Sequence, residues 1–323
     1  MVKTLLLLAG FLSMPAMADF IAQRADPWVI EKGGEYYFTA TVPSFNKVIL
    51  RKATSLEGLA KAPEITAWQR PKTGAFAGFV WAPELHFIKG AWYIYVAVGR
   101  EDSPFQVRTT VLKNTHSDPT VGPWQLLGKV KTQWDTFNLD ASEFSHNGKQ
   151  YLVWAQHPPG VKYNSALYIA ELLTPTTLGP QSRLSEPTLP WETVGYAVNE
   201  GPAILQSHGK VFLTYSASAT DANYAMGMLW ADKNADLLDP KSWHKLPKPV
   251  LTTNAKFQRF GPGHNSFTKD KAGRDVLVYH ARYYRDLKGS PLNDPNRDAR
   301  LKLITWGKDG MPDFGQNRGD YSF

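Results

Sequence analysis

"NEGPAILQSHGKVFLTYSAS", residues 199–218, runs from a turn-prone entry through an apolar segment and a His208-Gly209 turn into a strongly β-prone run. The same order of parts recurs in "ADPWVIEKGGEYYFTAT" from Ala25, "WAPELHFIKGAWYIYVAVG" from Trp81, "LDASEFSHNGKQYLVWAQH" from Leu139 and "GPGHNSFTKDKAGRDVLVYHAR" from Gly261. With Asp26, Ala82, Asp140, Glu200 and Pro262 as anchors, successive units lie 56, 58, 60 and 62 residues apart. A repeat near 60 residues is therefore present.

Within each unit, Gly33-Gly34, Lys89-Gly90, Asn147-Gly148, His208-Gly209 and Ala272-Gly273 are predicted to turn hairpins. "YYFTA", "WYIYVAV", "YLVWA", "VFLTYSA" and "VLVYHA" carry the β-branched and aromatic residues of central strands. "KVILRKA", "RTTVLKN" and "SALYIAEL" supply further strands, and helical periodicity is sparse. Five such units predict an all-β chain forming a five-bladed β-propeller, with residues 19–323 as a single domain. A β-sandwich or two tandem β-domains would not produce five nearly equal intervals. In a propeller the innermost strands run along the central axis, so the five anchors should meet at one mouth of the channel.

The opening "MVKTLLLLAGFLSMPAMA" has one lysine, an apolar stretch and an Ala-Met-Ala pattern, and reads as a signal peptide over residues 1–18. The expected product is soluble and periplasmic or extracellular. Export permits disulfides, yet the chain has 0 cysteines, so an ordinary hydrophobic core must hold it. Aromatic residues make up 13%, a supply of flat side chains for a β-core or for stacking on sugar rings. The net charge of +7 comes from basic residues scattered among acids, with no Lys/Arg run or nucleic-acid module. Neither nucleic acid nor membrane is expected as a partner, and a monomer is expected.

Convergence at the channel mouth would make neighbours of Asp26, Asp140 and Glu200. Each has an ordinary reading alone, as a turn residue ahead of Pro27, Ala141-Ser142 or Gly201-Pro202. Together they form a cluster of like charges whose pKa values must separate. Hydrolysis of a glycosidic bond uses such a set: one carboxylic acid protonates the leaving oxygen and one carboxylate activates water or attacks carbon. Metal binding is the competing chemistry, but no tight acidic loop of the EF-hand kind is present.

In order and spacing, "ADPWV", "WAPE", "LDAS", "NEGPAI" and "GPGHNSF" resemble glycoside hydrolase family 43, the five-bladed arabinan- and xylan-degrading enzymes. "PLNDPNRDARLKLITW" strengthens the resemblance, which is greatest to the α-L-arabinofuranosidase members. The resemblance implies inversion, with Asp26 as general base, Asp140 as pKa modulator and Glu200 as general acid. It implies that Arg297 holds sugar and carboxylate, that Phe79 and Trp81 wall the pocket, and that no cofactor is required for the chemistry. His264 is implied to stand beside a structural calcium or sodium ion, met through water. "NDPNR" at 293–297 also resembles a signature of invertase-like propellers, but there it opens the first blade and here it lies in the last. The expected activity is release of terminal α-L-arabinofuranose from arabinan, arabinoxylan or related plant side chains. A β-xylosidase on the same scaffold and a non-catalytic sugar-binding propeller are the alternatives.

Overall fold

The computed structural model describes residues 20–323; the expected signal peptide at 1–18 lies outside them. The described chain forms five antiparallel sheets arranged as a five-bladed propeller, and a small two-stranded sheet pairs Thr305–Trp306 with Pro312–Asp313. Blade 1 comprises β1 (Ala25–Lys32), β2 (Glu35–Thr41), β3 (Lys47–Ala53) and β4 (Ile65–Gln69). Blade 2 comprises β5 (Val80–Ile88), β6 (Ala91–Val98), β7 (Arg108–Asn114) and β8 (Gln125–Lys129). Blade 3 has β9 (Asn138–His146), β10 (Lys149–Gln156) and β11 (Ala166–Thr174), whose outer edge pairs with β12 (Thr177–Leu178) and β13 (Ser182–Ser185). Blade 4 comprises β14 (Asn199–Ser207), β15 (Lys210–Ala217), β16 (Ala225–Asp232) and β17 (His244–Lys245). Blade 5 contains β18 (Phe260–Lys269), β19 (Asp275–Arg282) and β20 (Asp298–Leu303).

The ring closes through the start of the described chain. Ile21 bridges Ala299 on β20, with hydrogen bonds in both directions, so the N-terminal segment completes the last blade. The single α-helix among the described residues, Leu56–Lys61, is capped at Ser55, whose side chain accepts from the Gly58 N–H.

Four of the five predicted hairpin turns are two-residue loops with positive φ at both positions: Gly33-Gly34, Lys89-Gly90, Asn147-Gly148 and His208-Gly209. The fifth is longer. Lys269 pairs with Asp275, and Asp270 accepts from the N–H groups of Ala272 and Arg274, so Gly273 alone takes positive φ there.

The middle strands are continuous apolar runs because both faces are covered by neighbouring blades. On β6 every residue from Ala91 to Val98 is buried. Trp92, Ile94 and Val96 pack with Val48 and Leu50 of blade 1, while Tyr93 and Tyr95 pack with Leu152 and Trp154 of blade 3. The same sharing gives one core between each pair of adjacent blades, including the closing pair, where Val29 and Phe38 meet Val276 and Val278. Each such fully buried aliphatic side chain contributes about 1.5–3 kcal/mol. That is how a chain of 0 cysteines is held.

Candidate active site

Each innermost strand carries a β-bulge near its start, and at each one a residue adopts left-handed φ: Asp26 (53°), Ala82 (45°), Asp140 (56°), Gly201 (55°) and His264 (45°). These five residues are 56, 58, 61 and 63 apart. The repeat predicted from sequence is thus a structural repeat, with two changes of anchor. His264 rather than Pro262 holds the fifth position, and Gly201 rather than Glu200 holds the fourth. The other four positions hold side chains at this φ, but a Cβ on Gly201 would meet the His264 ring at 3.1 Å, so it is the close approach of that ring that favours glycine there.

A bulge frees backbone groups that must find other partners. The Ala82 N–H donates to Thr41 Oγ1 of the preceding blade at 2.7 Å. The His264 N–H likewise donates to Ser216 Oγ at 2.7 Å, and the Asp26 N–H to His280 Nδ1 at 3.0 Å. For Gly201 the acceptor is Asp140 Oδ2, at 2.9 Å. Each of these bulges is therefore braced by the blade before it, and the bracing aims the side chains at the channel mouth.

Asp26, Asp140, Glu200, His264 and Arg297 line one open cavity of about 800 Å³, with Trp81 in its wall. Phe79 is not part of that lining. It stacks behind Trp81 at 5.4 Å and faces a smaller adjoining cavity shared with Arg297 and Leu292. Phe105 packs edge-on against both rings and reaches the rim. Arg297 comes from the segment that supplies Ser290, Pro291 and Leu292 to the lining. Arg282 anchors it by donating to Asp294 Oδ1 and the Pro291 carbonyl, and Tyr284 donates to Asp294 Oδ2.

The carboxylates are held in opposite states. Burial alone would raise Asp26, but the charges of His264 (3.3 Å) and Arg297 (3.5 Å) outweigh it and keep the group far below the ordinary carboxylate range. Thr41 Oγ1 donates to its other oxygen at 2.6 Å. Burial, reinforced by Glu200 and Asp26, pushes Asp140 up to about 8, and its Oδ1 is buried without a partner among the described residues. Burial also raises Glu200, against the hydrogen bond from Tyr224 and the charge of His264. Asp140 and Glu200 behave as one proton-holding pair beside an ionised Asp26.

His264 is itself raised, because the attraction of Asp140, Asp26 and Glu200 outweighs its burial. His280 is the reverse: burial takes it down to about 3, and its Nδ1 accepts from the Asp26 N–H, so this ring is neutral. Deeper in the channel, His86 lies 3.2 Å from Glu84 and 3.5 Å from Glu143 and is raised to about 9 despite burial. The channel thus carries cations of its own. No three described His, Asp or Glu side chains are spaced to hold a metal ion, and His264 spends Nδ1 on the carboxylates. A directly ligated ion does not fit these residues.

Sequence reading missed Thr41, Tyr224, His280 and Glu192. The first three touch the carboxylates or their backbone from second and third strands, or the loop before them, where no repeated motif marks them. The one available signal is polarity near the end of a second strand, as in Thr41, Ser216 and His280. Glu192 is fully buried, accepts from Tyr215, Lys245 and Asn199, and so fixes the residue immediately before Glu200.

One carboxylate held far below its ordinary range and two pushed above it, at a channel mouth walled by aromatic rings, match the demands of glycosidic-bond hydrolysis. The family model for glycosyl hydrolases family 43 matches residues 20–312, and the chain belongs to that family. It is 50% identical over 296 residues to an extracellular exo-α-(1→5)-L-arabinofuranosidase of Streptomyces avermitilis, covering 91% of this chain and 62% of that protein. To the exo-α-(1→5)-L-arabinofuranosidase of Streptomyces chartreusis it is 49% identical, covering 86% and 85%. The crystal structure of α-L-arabinofuranosidase from Lactobacillus brevis superposes with a TM-score of 0.90 at 46% identity, covering 94% of this chain and 97% of that one. The chain spans 62% of the length of the Streptomyces avermitilis relative and of α-L-arabinofuranosidase 43 from Humicola insolens.

Proposed function

We propose that this chain is an exported, inverting α-L-arabinofuranosidase that releases terminal α-L-arabinofuranose from arabinan, arabinoxylan or related plant side chains. The observation that carries the reading is the convergence of three carboxylates on one cavity, with Asp26 held far below the ordinary carboxylate range by His264 and Arg297 and with Asp140 and Glu200 pushed above it by burial. The names of the similar proteins support the choice of sugar, and those named extracellular support export.

In this reading Asp26 takes a proton from water as it attacks the anomeric carbon, and Glu200 gives a proton to the departing oxygen. Asp140 keeps Glu200 protonated and, through the Gly201 N–H, fixes the backbone beside it. Arg297 and His264 keep Asp26 ionised, and Arg297 lies close enough to hold a sugar hydroxyl as well. Any channel ion at His264 is structural, reached through water, and takes no part in the chemistry.

The test is a panel of nitrophenyl glycosides with proton NMR of the first-formed sugar. Arabinofuranoside cleavage with inverted anomeric configuration is the expected result. Preference for xylopyranoside, or a product of retained configuration, overturns it.

A further inference from the structure

Thr41 ends β2, Asp26 stands at the bulge of β1, and both side chains are buried. The Thr41 hydroxyl has two partners. Its oxygen accepts from the Ala82 N–H at 2.7 Å, and it lies 2.6 Å from Asp26 Oδ2. A hydroxyl carries one hydrogen and an amide N–H cannot accept it, so beside an ionised Asp26 that hydrogen is committed to Oδ2. Because Ala82 follows Trp81, the same hydroxyl ties Asp26 to the strand that supplies the aromatic wall of the cavity.

The two oxygens of Asp26 are therefore unequal. Oδ2 is turned to Thr41, which lines the smaller adjoining cavity and not the catalytic one. Oδ1 is turned to His264 Nδ1 at 3.3 Å and Arg297 Nη1 at 3.5 Å, and both of those residues line the catalytic cavity. These are ion-pair separations, longer than the Thr41 bond, and they leave Oδ1 able to accept a hydrogen. A proton placed on Oδ2 would displace the Thr41 hydrogen, which has no second acceptor among the described residues, and so would strand a buried donor. A proton placed on Oδ1 leaves the Thr41 bond intact.

We propose that Thr41 is a positioning residue of the general base: it holds Asp26 by Oδ2 and so makes Oδ1 the atom that takes the proton of the attacking water. The inference rests on the role given to Asp26 above. In that step the water oxygen bonds to the anomeric carbon as the bond to the departing oxygen breaks. The water's proton passes to Asp26 Oδ1, and the proton of Glu200 passes to the departing oxygen. Thr41 keeps its own proton throughout.

The test is steady-state kinetics of Thr41→Val, alone and combined with Asp26→Ala, on a nitrophenyl arabinofuranoside and a natural disaccharide. Valine matches threonine in shape but donates nothing. Its kcat should fall about ten- to hundredfold, the scale of a lost hydrogen bond to a charged group, by the same factor on both substrates and with little change in KM. Thr41→Ser should keep most of the rate. On the Asp26→Ala background Thr41→Val should cost nothing further, because a residue that acts through Asp26 then has nothing to hold, whereas a merely structural role gives losses that multiply. If Thr41→Val fails to fold with the Ala82 N–H unpaired, Thr41→Cys, which keeps a weak acceptor and a weak donor there, should fold and lose rate in the same sense. Unchanged kcat in the folded valine or cysteine variant, a loss confined to KM, no recovery with serine, or a further loss on the Asp26→Ala background overturns the proposal. An undiminished rate in Asp26→Ala instead overturns the role of Asp26 as base, so the two failures are told apart.

Discussion

Tyr224 Oη donates a hydrogen bond to Glu200 Oε1 at 2.7 Å, from a ring that is fully buried and stacked on His280 at an interplanar angle of 4°. One tyrosine therefore connects the proposed acid to the histidine that accepts the N–H of the proposed base. A donor to a carboxylate favours its ionised form, so Tyr224 opposes the burial that raises Glu200.

Tyr224→Phe should therefore raise Glu200 further. The basic limb of the kcat profile reports loss of the acid's proton, so it should move to higher pH. The maximal rate should fall about tenfold as the side chain loses its alignment. A pH–rate profile on a natural disaccharide measures both effects.

Asp140→Asn should separate activity from stability. Asp140 has its folded pKa raised to about 8, above its unfolded value near 3.8, so its protonated form stabilises the fold at low pH. That contribution is lost as pH rises from about 4 towards 8. The asparagine variant lacks this slope and should show a higher Tm than the unaltered chain at pH 8, while its kcat falls and its basic limb moves to lower pH. Thermal melts at pH 5 and pH 8 check the first part. A variant less stable than the original at pH 8 contradicts the assignment.

His264 has its folded pKa raised above its unfolded value, so its contribution to stability is fully present below about 6.5 and fades as pH climbs through the folded value. His264→Ala should lower Tm most at mildly acid pH. If a hydrated structural ion is held at this ring, a chelator should lower the Tm of the unaltered chain and leave that of His264→Ala unchanged. Calorimetry with and without chelator reads both.

The fold was readable because a propeller repeats a local event. Each unit needs a bulge, a two-residue turn and a doubly covered strand, and all three leave marks in residue type, from Asn147-Gly148 to "WYIYVAV". The carboxylates were readable for the same reason, since Asp26 and Asp140 occupy equivalent bulge positions and Glu200 adjoins one. Register was less so: Pro262 and His264 are two residues apart in a strand whose bulges set which side chain faces the channel, and periodicity does not locate a bulge. The partners Tyr224 and His280 owe their roles to contacts across 24 and 254 residues, and nothing local in the chain records them.

The separation of acid from base is tested by the leaving group. A general acid helps only to the extent that the departing oxygen needs a proton, so Glu200→Gln should lose a factor of about 10²–10⁴ on a natural sugar leaving group. With a nitrophenolate the loss should be much smaller, because that oxygen departs unprotonated. Asp26→Asn should impair both substrates alike, since water must be activated whichever group leaves. The amide at position 26 also forfeits the charge that His264 and Arg297 surround, which leaves two cations facing a neutral group. Asp26→Asn should therefore be the less stable variant, and Glu200→Gln, which keeps an oxygen for Tyr224, should melt close to the unaltered chain. Rates on the two substrates, read with circular dichroism melts, check the pair; equal losses on both substrates in Glu200→Gln, with an unchanged melt, would remove Glu200 from the role of proton donor.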